Sequence, residues 1–154
     1  MDDSRKALAA VVARLAPLLG PIGFTWKSGD VGISSGGAFA NGSFVGGAFD
    51  LDLIWRKSSG LGCPTYSVGH THAAHDAVME RLGLAQECRL RFNDDLKVWK
   101  VYSSTGGDVV DALVADLAVA APKFAGHPSD VRRAIIEAHA AAYRKLFKRE
   151  PPGS

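Results

Sequence analysis

Behind the N-cap oxygens of Asp2, Asp3 and Ser4, the apolar residues Leu8, Val11, Val12, Leu15 and Leu19 recur at three- and four-residue steps, a spacing that predicts an amphipathic helix. Pro17 is expected to bend or end it, and Gly20-Pro21 to close it before a short apolar segment from Ile22 to Trp26. Lys27 to Gly47 is rich in glycine and serine, with Ile33, Phe39 and Phe44 spaced along it. The turn pair Asn41-Gly42 predicts a hairpin there, because tight hairpin turns need positive φ angles that Asn and Gly tolerate. Phe49 to Arg56 alternates cleanly, with Phe49, Leu51, Leu53 and Trp55 on one face and Asp50, Asp52 and Arg56 on the other, which predicts a half-buried strand. Leu61 to Val68 reads as the returning strand, with Pro64 at an edge or bulge since it lacks a ladder donor.

Thr71 then caps an expected helix from His72 to Leu82, stopped by Gly83. Arg89 to Phe92 and Leu96 to Tyr102, flanking Asn93-Asp94-Asp95, predict a second hairpin. Asp108 caps a helix with the stripe Val110, Leu113, Val114, Leu117 and Ala121, halted or kinked at Pro122. Pro128 opens a last helix, whose stripe runs through Val131, Ile135, Ala138, Ala142 and Leu146. The sum is an α+β fold: a single domain over residues 1–149 with a disordered tail at 150–154. It holds a mainly antiparallel sheet of four to six strands, an N-terminal helix, one mid-chain helix and two C-terminal helices packed on one face.

Composition narrows the function classes. A chain of 154 residues with 47% hydrophobic and 22% charged residues fits one ordinary globular core. Its formal charge of +2 is too small to imply a nucleic-acid or membrane field. The cations Arg132, Arg133, Arg144, Lys145, Lys148 and Arg149 are therefore read as a solvated helix face. No apolar run has the form of a signal peptide or a membrane span, so the expected setting is the cytoplasm, and Cys63 and Cys88 are expected as free thiols. The glycine-rich segment lacks phosphate-loop spacing, and no Gly-x-Ser-x-Gly elbow is present.

Candidate chemistry is concentrated between Gly60 and Gly83. His70, His72 and His75, with Cys63 upstream and Asp76 adjacent, carry the donor types of a zinc site, which would keep one position open if catalytic. The bland reading leaves these histidines at a helix start, bonded to backbone or water. Asp50 and Asp52 share a strand face about 7 Å apart at their Cα atoms, where they could act as acid and base or simply keep the sheet soluble. Phe39, Phe44 and Trp26 stand among flexible glycines and would suit a protein partner if their rings are exposed.

Gly60-Leu61-Gly62, Tyr66-Ser67-Val68-Gly69, His75, Met79 and Leu82-Gly83, followed by Ala112-Leu113 and Asp116-Leu117, together with the Asn41 to Phe44 segment, resemble a family of small bacterial proteins with no assigned activity. The resemblance runs loosely from Asn41 to Leu117 and implies a shared fold; of the three histidines only His75 belongs to its pattern. The spacing of His70, His72 and His75 is also similar to part of the metallo-β-lactamase-type signature, but Ala74 stands where that family has an aspartate. The expected function is a non-catalytic binding or protein-interaction domain of immunity or accessory type, with a protein partner and no cofactor. The alternative is a small metal-dependent hydrolase, with zinc at His70, His72 and His75 and Cys63 or Asp76 completing the shell.

Overall fold

A computed structural model describes residues 3–34, 37–93, 98–101 and 108–152. Helix α1 (Asp3–Leu19) passes through Pro17 without ending, and a single 3-10 turn at Gly20–Ile22 closes it. A meander follows: β1 (Thr25–Ser34), β2 (Gly37–Val45), β3 (Asp50–Arg56), β4 (Gly60–Leu61), β5 (Thr65–Val68) and β6 (Thr71–Ala74). These make a six-stranded antiparallel sheet in the order β1-β2-β3-β5-β6, with β4 paired to β3 beyond the start of β5. Helix α2 (His75–Arg81) leads to a two-stranded ribbon, β7 (Leu90–Asn93) and β8 (Val98–Val101), and then to α3 (Val109–Gly126) and α4 (Pro128–Phe147). The α+β architecture with an antiparallel sheet, an N-terminal helix and helices in the C-terminal half is the one expected.

Three local expectations fail, each for a physical reason. Asn41-Gly42 is not a turn: it sits in the middle of β2, opposite Ser28 and the β1 bulge on one side and Leu53 and Ile54 on the other. Gly42 is there because Trp26 lies across it; a Cβ would stand 2.7 Å from the Lys27 carbonyl and closer still to the indole ring. The expected return strand is split at Cys63-Pro64, where proline withholds its ladder donor and its carbonyl instead accepts from His75 N at 3.0 Å. Thr71 caps no helix. Its hydroxyl bonds the Val68 carbonyl at 2.7 Å within the β5–β6 turn, β6 runs on to Ala74, and α2 starts three residues later than expected from a Thr71 cap.

Elsewhere the patterning holds, except that α3 runs through Pro122 to Gly126 rather than halting there. Asp108 caps α3 by accepting from Asp111 N at 2.7 Å, and Pro128 opens α4. Residues 94–97, including Asp94, Asp95 and Leu96, and residue Tyr102 lie outside the described residues.

On the sheet's inner face, Ala40, Phe44, Leu51, Leu53 and Tyr66 pack against Leu8, Val11, Leu15 and Leu19 of α1 and Leu113, Leu117, Ala120 and Phe124 of α3 in one core. Phe49, Tyr66 and Phe124 form its aromatic centre, with ring centroids 5.1–6.1 Å apart. Past position 149, Glu150 turns back to Arg144 at 3.1 Å. No helix among the described residues is long and apolar enough to cross a membrane.

Candidate functional site

The three histidines do not converge. His70 is exposed in the β5–β6 turn, and His72 is exposed on β6. His75, the first residue of α2, turns inward and is fully buried. Because β6 continues through Ala74 rather than yielding to helix, the side chains at 72 and 75 leave the backbone toward different surroundings. Cys63 is half-buried before Pro64, and its thiol lies 3.7 Å from the Pro64 carbonyl. Asp76 is engaged too: its carboxylate accepts from Ala77 N at 3.0 Å and Phe92 N at 3.3 Å, which fixes β7 to α2.

What His75 meets instead is a closed polar network. Its Nδ1 lies 2.8 Å from the Tyr66 hydroxyl on β5, and its Nε2 lies 3.0 Å from Asp116 Oδ2 on α3. Asp116 also accepts from Arg89 N at 2.6 Å and Leu90 N at 3.0 Å, at the entrance to β7. A carboxylate already accepting from two backbone N–H groups accepts a third hydrogen bond from Nε2–H, which leaves Nδ1 to accept from the tyrosine. Tyr66, His75 and Asp116 are all completely buried, so the arrangement ties β5, α2, α3 and β7 together in low dielectric, where satisfied hydrogen bonds are strong.

Cys88 is buried next to this network. One ligand atom each from His75, Cys88 and Asp116 lie within 4.8 Å of one another, so the three could hold a metal ion. An ion there would displace the His75–Asp116 hydrogen bond and the thiol proton. Burial, with the Asp116 charge adding to it, pushes the Cys88 thiol up to about 12, and burial with the Asp76 charge does the same for Cys63. Tyr66 is held well above the usual phenol value, chiefly by burial. Both cysteines are thus neutral thiols at physiological pH and poor nucleophiles.

Asp116 and Tyr66 escape a search for histidine clusters. A signal for Asp116 is present nonetheless: a carboxylate falls inside the apolar stripe of α3, one helical step from both Leu113 and Ala120. An acid on a face that the core must cover needs buried partners.

The second candidate region is the sheet's outer face. Asp50 and Asp52 lie here, half-buried: Asp52 accepts from Ser43 Oγ at 2.5 Å and Asp50 from Gly46 N at 3.4 Å. They line an open groove of about 460 Å³ together with Lys27, Asn41, Cys63 and Thr65. Phe39 lies on the same face, its ring over Gly32. Trp26 and Phe44 do not. Their register places them on the inner side, where Phe44 is buried and the two rings pack 5.0 Å apart, so Phe44 offers no ring to a partner.

Compared with protein-family models, curated proteins and solved structures, the chain matches none.

Proposed function

We propose that the chain is a non-catalytic, cytoplasmic binding domain of immunity or accessory type that engages another protein through the outer face of its sheet. The observation that carries this reading is the one-sided packing. Helices α1 and α3 cover the inner face, while the outer face holds an open groove lined by Asp50 and Asp52, with Phe39 elsewhere on the same face. Mixed polar groups with a half-exposed ring suit a protein surface better than a small substrate, which is usually enclosed on most sides. The test is capture from source lysate by the wild-type chain, an Asp50→Lys/Asp52→Lys/Phe39→Ala variant and a Lys6→Glu control on exposed α1. A partner held by wild type and control but lost by the outer-face variant, with melting temperature unchanged, is the expected result. Capture indifferent to those substitutions overturns the proposal.

A second reading rests on the convergence of His75, Cys88 and Asp116. Imidazole, thiolate and carboxylate are zinc donors, and in so enclosed a place the ion would support the fold. The hydrolase alternative needs His70 and His72 beside His75, and that ligand set is not assembled. Elemental mass spectrometry of untagged protein tests the zinc reading. A stoichiometric ion lost in Cys88→Ser supports it, and metal-free protein with no thermal shift on adding zinc removes it.

A further inference from the structure

The two ends of the sheet are finished differently. Along β6 lies α4, whose His139 Nδ1 sits 3.3 Å from His72 N and 3.2 Å from His72 O, able to accept from the one or donate to the other on the side of β6 that points away from β5. Beyond β1 no strand pairs among the described residues, although β1 is ten residues long. It also carries the most exposed large apolar side chain, Ile33 at 85%, with Val31 at 49% two residues earlier on the same face. An open edge with apolar residues is a template for another strand.

The register shows which part of that edge is usable. Ala38 O accepts from Lys57 N at 2.9 Å on the β3 side of β2, so Ala38 does not bond across to its β1 partner Ile33. In an antiparallel ladder this turns the Ile33 N–H and C=O outward, and the same holds two residues back at Val31. Upstream the edge is blunted by the bulge between Ser28 and Val31, where Asp30 N bonds Asn41 Oδ1 at 2.7 Å. Val31 to Ile33 is therefore the segment able to pair.

We propose that this segment forms a homodimer, two copies pairing antiparallel about a two-fold axis at Gly32. Val31 then faces Ile33 of the partner subunit, and the outward backbone groups of each exchange hydrogen bonds. The choice of a second copy rests on self-complementarity. With Gly32 on the axis, the two exposed apolar positions of one strand meet those of the other, as an isologous interface requires. Each copy also supplies a receptor. Val31 shares its face with buried Ala40, and there a hollow of about 140 Å³ opens between α1 and β1, lined by Leu8, Trp26, Val31 and Ala40 together with Arg5 and Asn41. Ile33 of the partner subunit, one strand spacing outside Val31, would reach into it. The interface uses an edge rather than the outer face, so it stands independently of the function proposed above.

Sedimentation velocity over a concentration series tests the dimer. Wild type is expected to move from 16.3 kDa toward twice that mass as concentration rises, while Ile33→Lys stays monomeric with an unchanged melting temperature. In a Cys63→Ser background, Gly32→Cys is expected to form an intermolecular disulfide under mild oxidation, and Thr25→Cys, upstream of the bulge, is not. A wild type that remains monomeric to its solubility limit, a dimer that survives Ile33→Lys, or equal cross-linking at both cysteine positions would each overturn the proposal. If Gly32→Cys does not fold, the Ile33→Lys comparison alone decides.

Discussion

Asp116 is the single residue on which most of the buried polar order depends, because it accepts three donors, one from α2 and two from the entrance to β7. Asp116→Ala strands the Arg89 and Leu90 amides and the His75 Nε2 proton, and a loss of roughly 3–5 kcal/mol is expected in urea titration. Tyr66→Phe removes only the hydroxyl facing Nδ1 and should cost about 1–2 kcal/mol. Equal losses would mean that the carboxylate is not the hub. The thiols give a pH dependence with a definite sign. The unfolded chain releases their protons near 9.0, whereas folded Cys63 and Cys88 hold theirs to about 12. Above pH 9 the unfolded state binds fewer protons, so this contribution is intact below pH 9 and is lost as pH rises toward 12. Cys88→Ala should flatten the alkaline limb of a stability-against-pH curve, and an unchanged slope would count against the burial that raises the thiol.

Among the elements, those with a strong period were legible from sequence: α1, β3, α3 with its Asp108 cap, and α4 stand where their stripes placed them, although Ser4, offered as a cap of α1, lies inside that helix and bonds the Ala38 carbonyl. Positions decided by long-range packing were not. Asn41-Gly42 carries the chemistry of a turn, yet its place in β2 is set by the Trp26 ring, which no local pattern reveals. Gly42→Ala is accordingly expected to cost about 1–3 kcal/mol, since the added methyl group overlaps that ring and the Lys27 carbonyl. Gly20→Ala, where a Cβ meets nothing within 4 Å, should stay within about 0.5 kcal/mol of wild type. The same limit governed the candidate site. His75 could be singled out by residue type, but its partners come from β5 and from α3, 41 residues away, and only the assembled fold brings them together.

At the scale of the molecule, one continuous core joins the sheet to the helices, and the β7–β8 ribbon is fastened to it through Asp76 and Asp116. Unfolding should therefore be a single event. Far-ultraviolet dichroism and the fluorescence of Trp26, Trp55 and Trp99, which sit in β1, β3 and β8, are expected to melt together; separated midpoints would show that the ribbon opens on its own. The His139 ring against the β6 backbone has a consequence for crowded conditions. A meander with both flanks bare can add neighbours without end and grow into fibres. With the last helix lying along one flank, a chain that joined another through β1 would present no bare second flank to a third, so self-association through β1 is expected to stop at a pair.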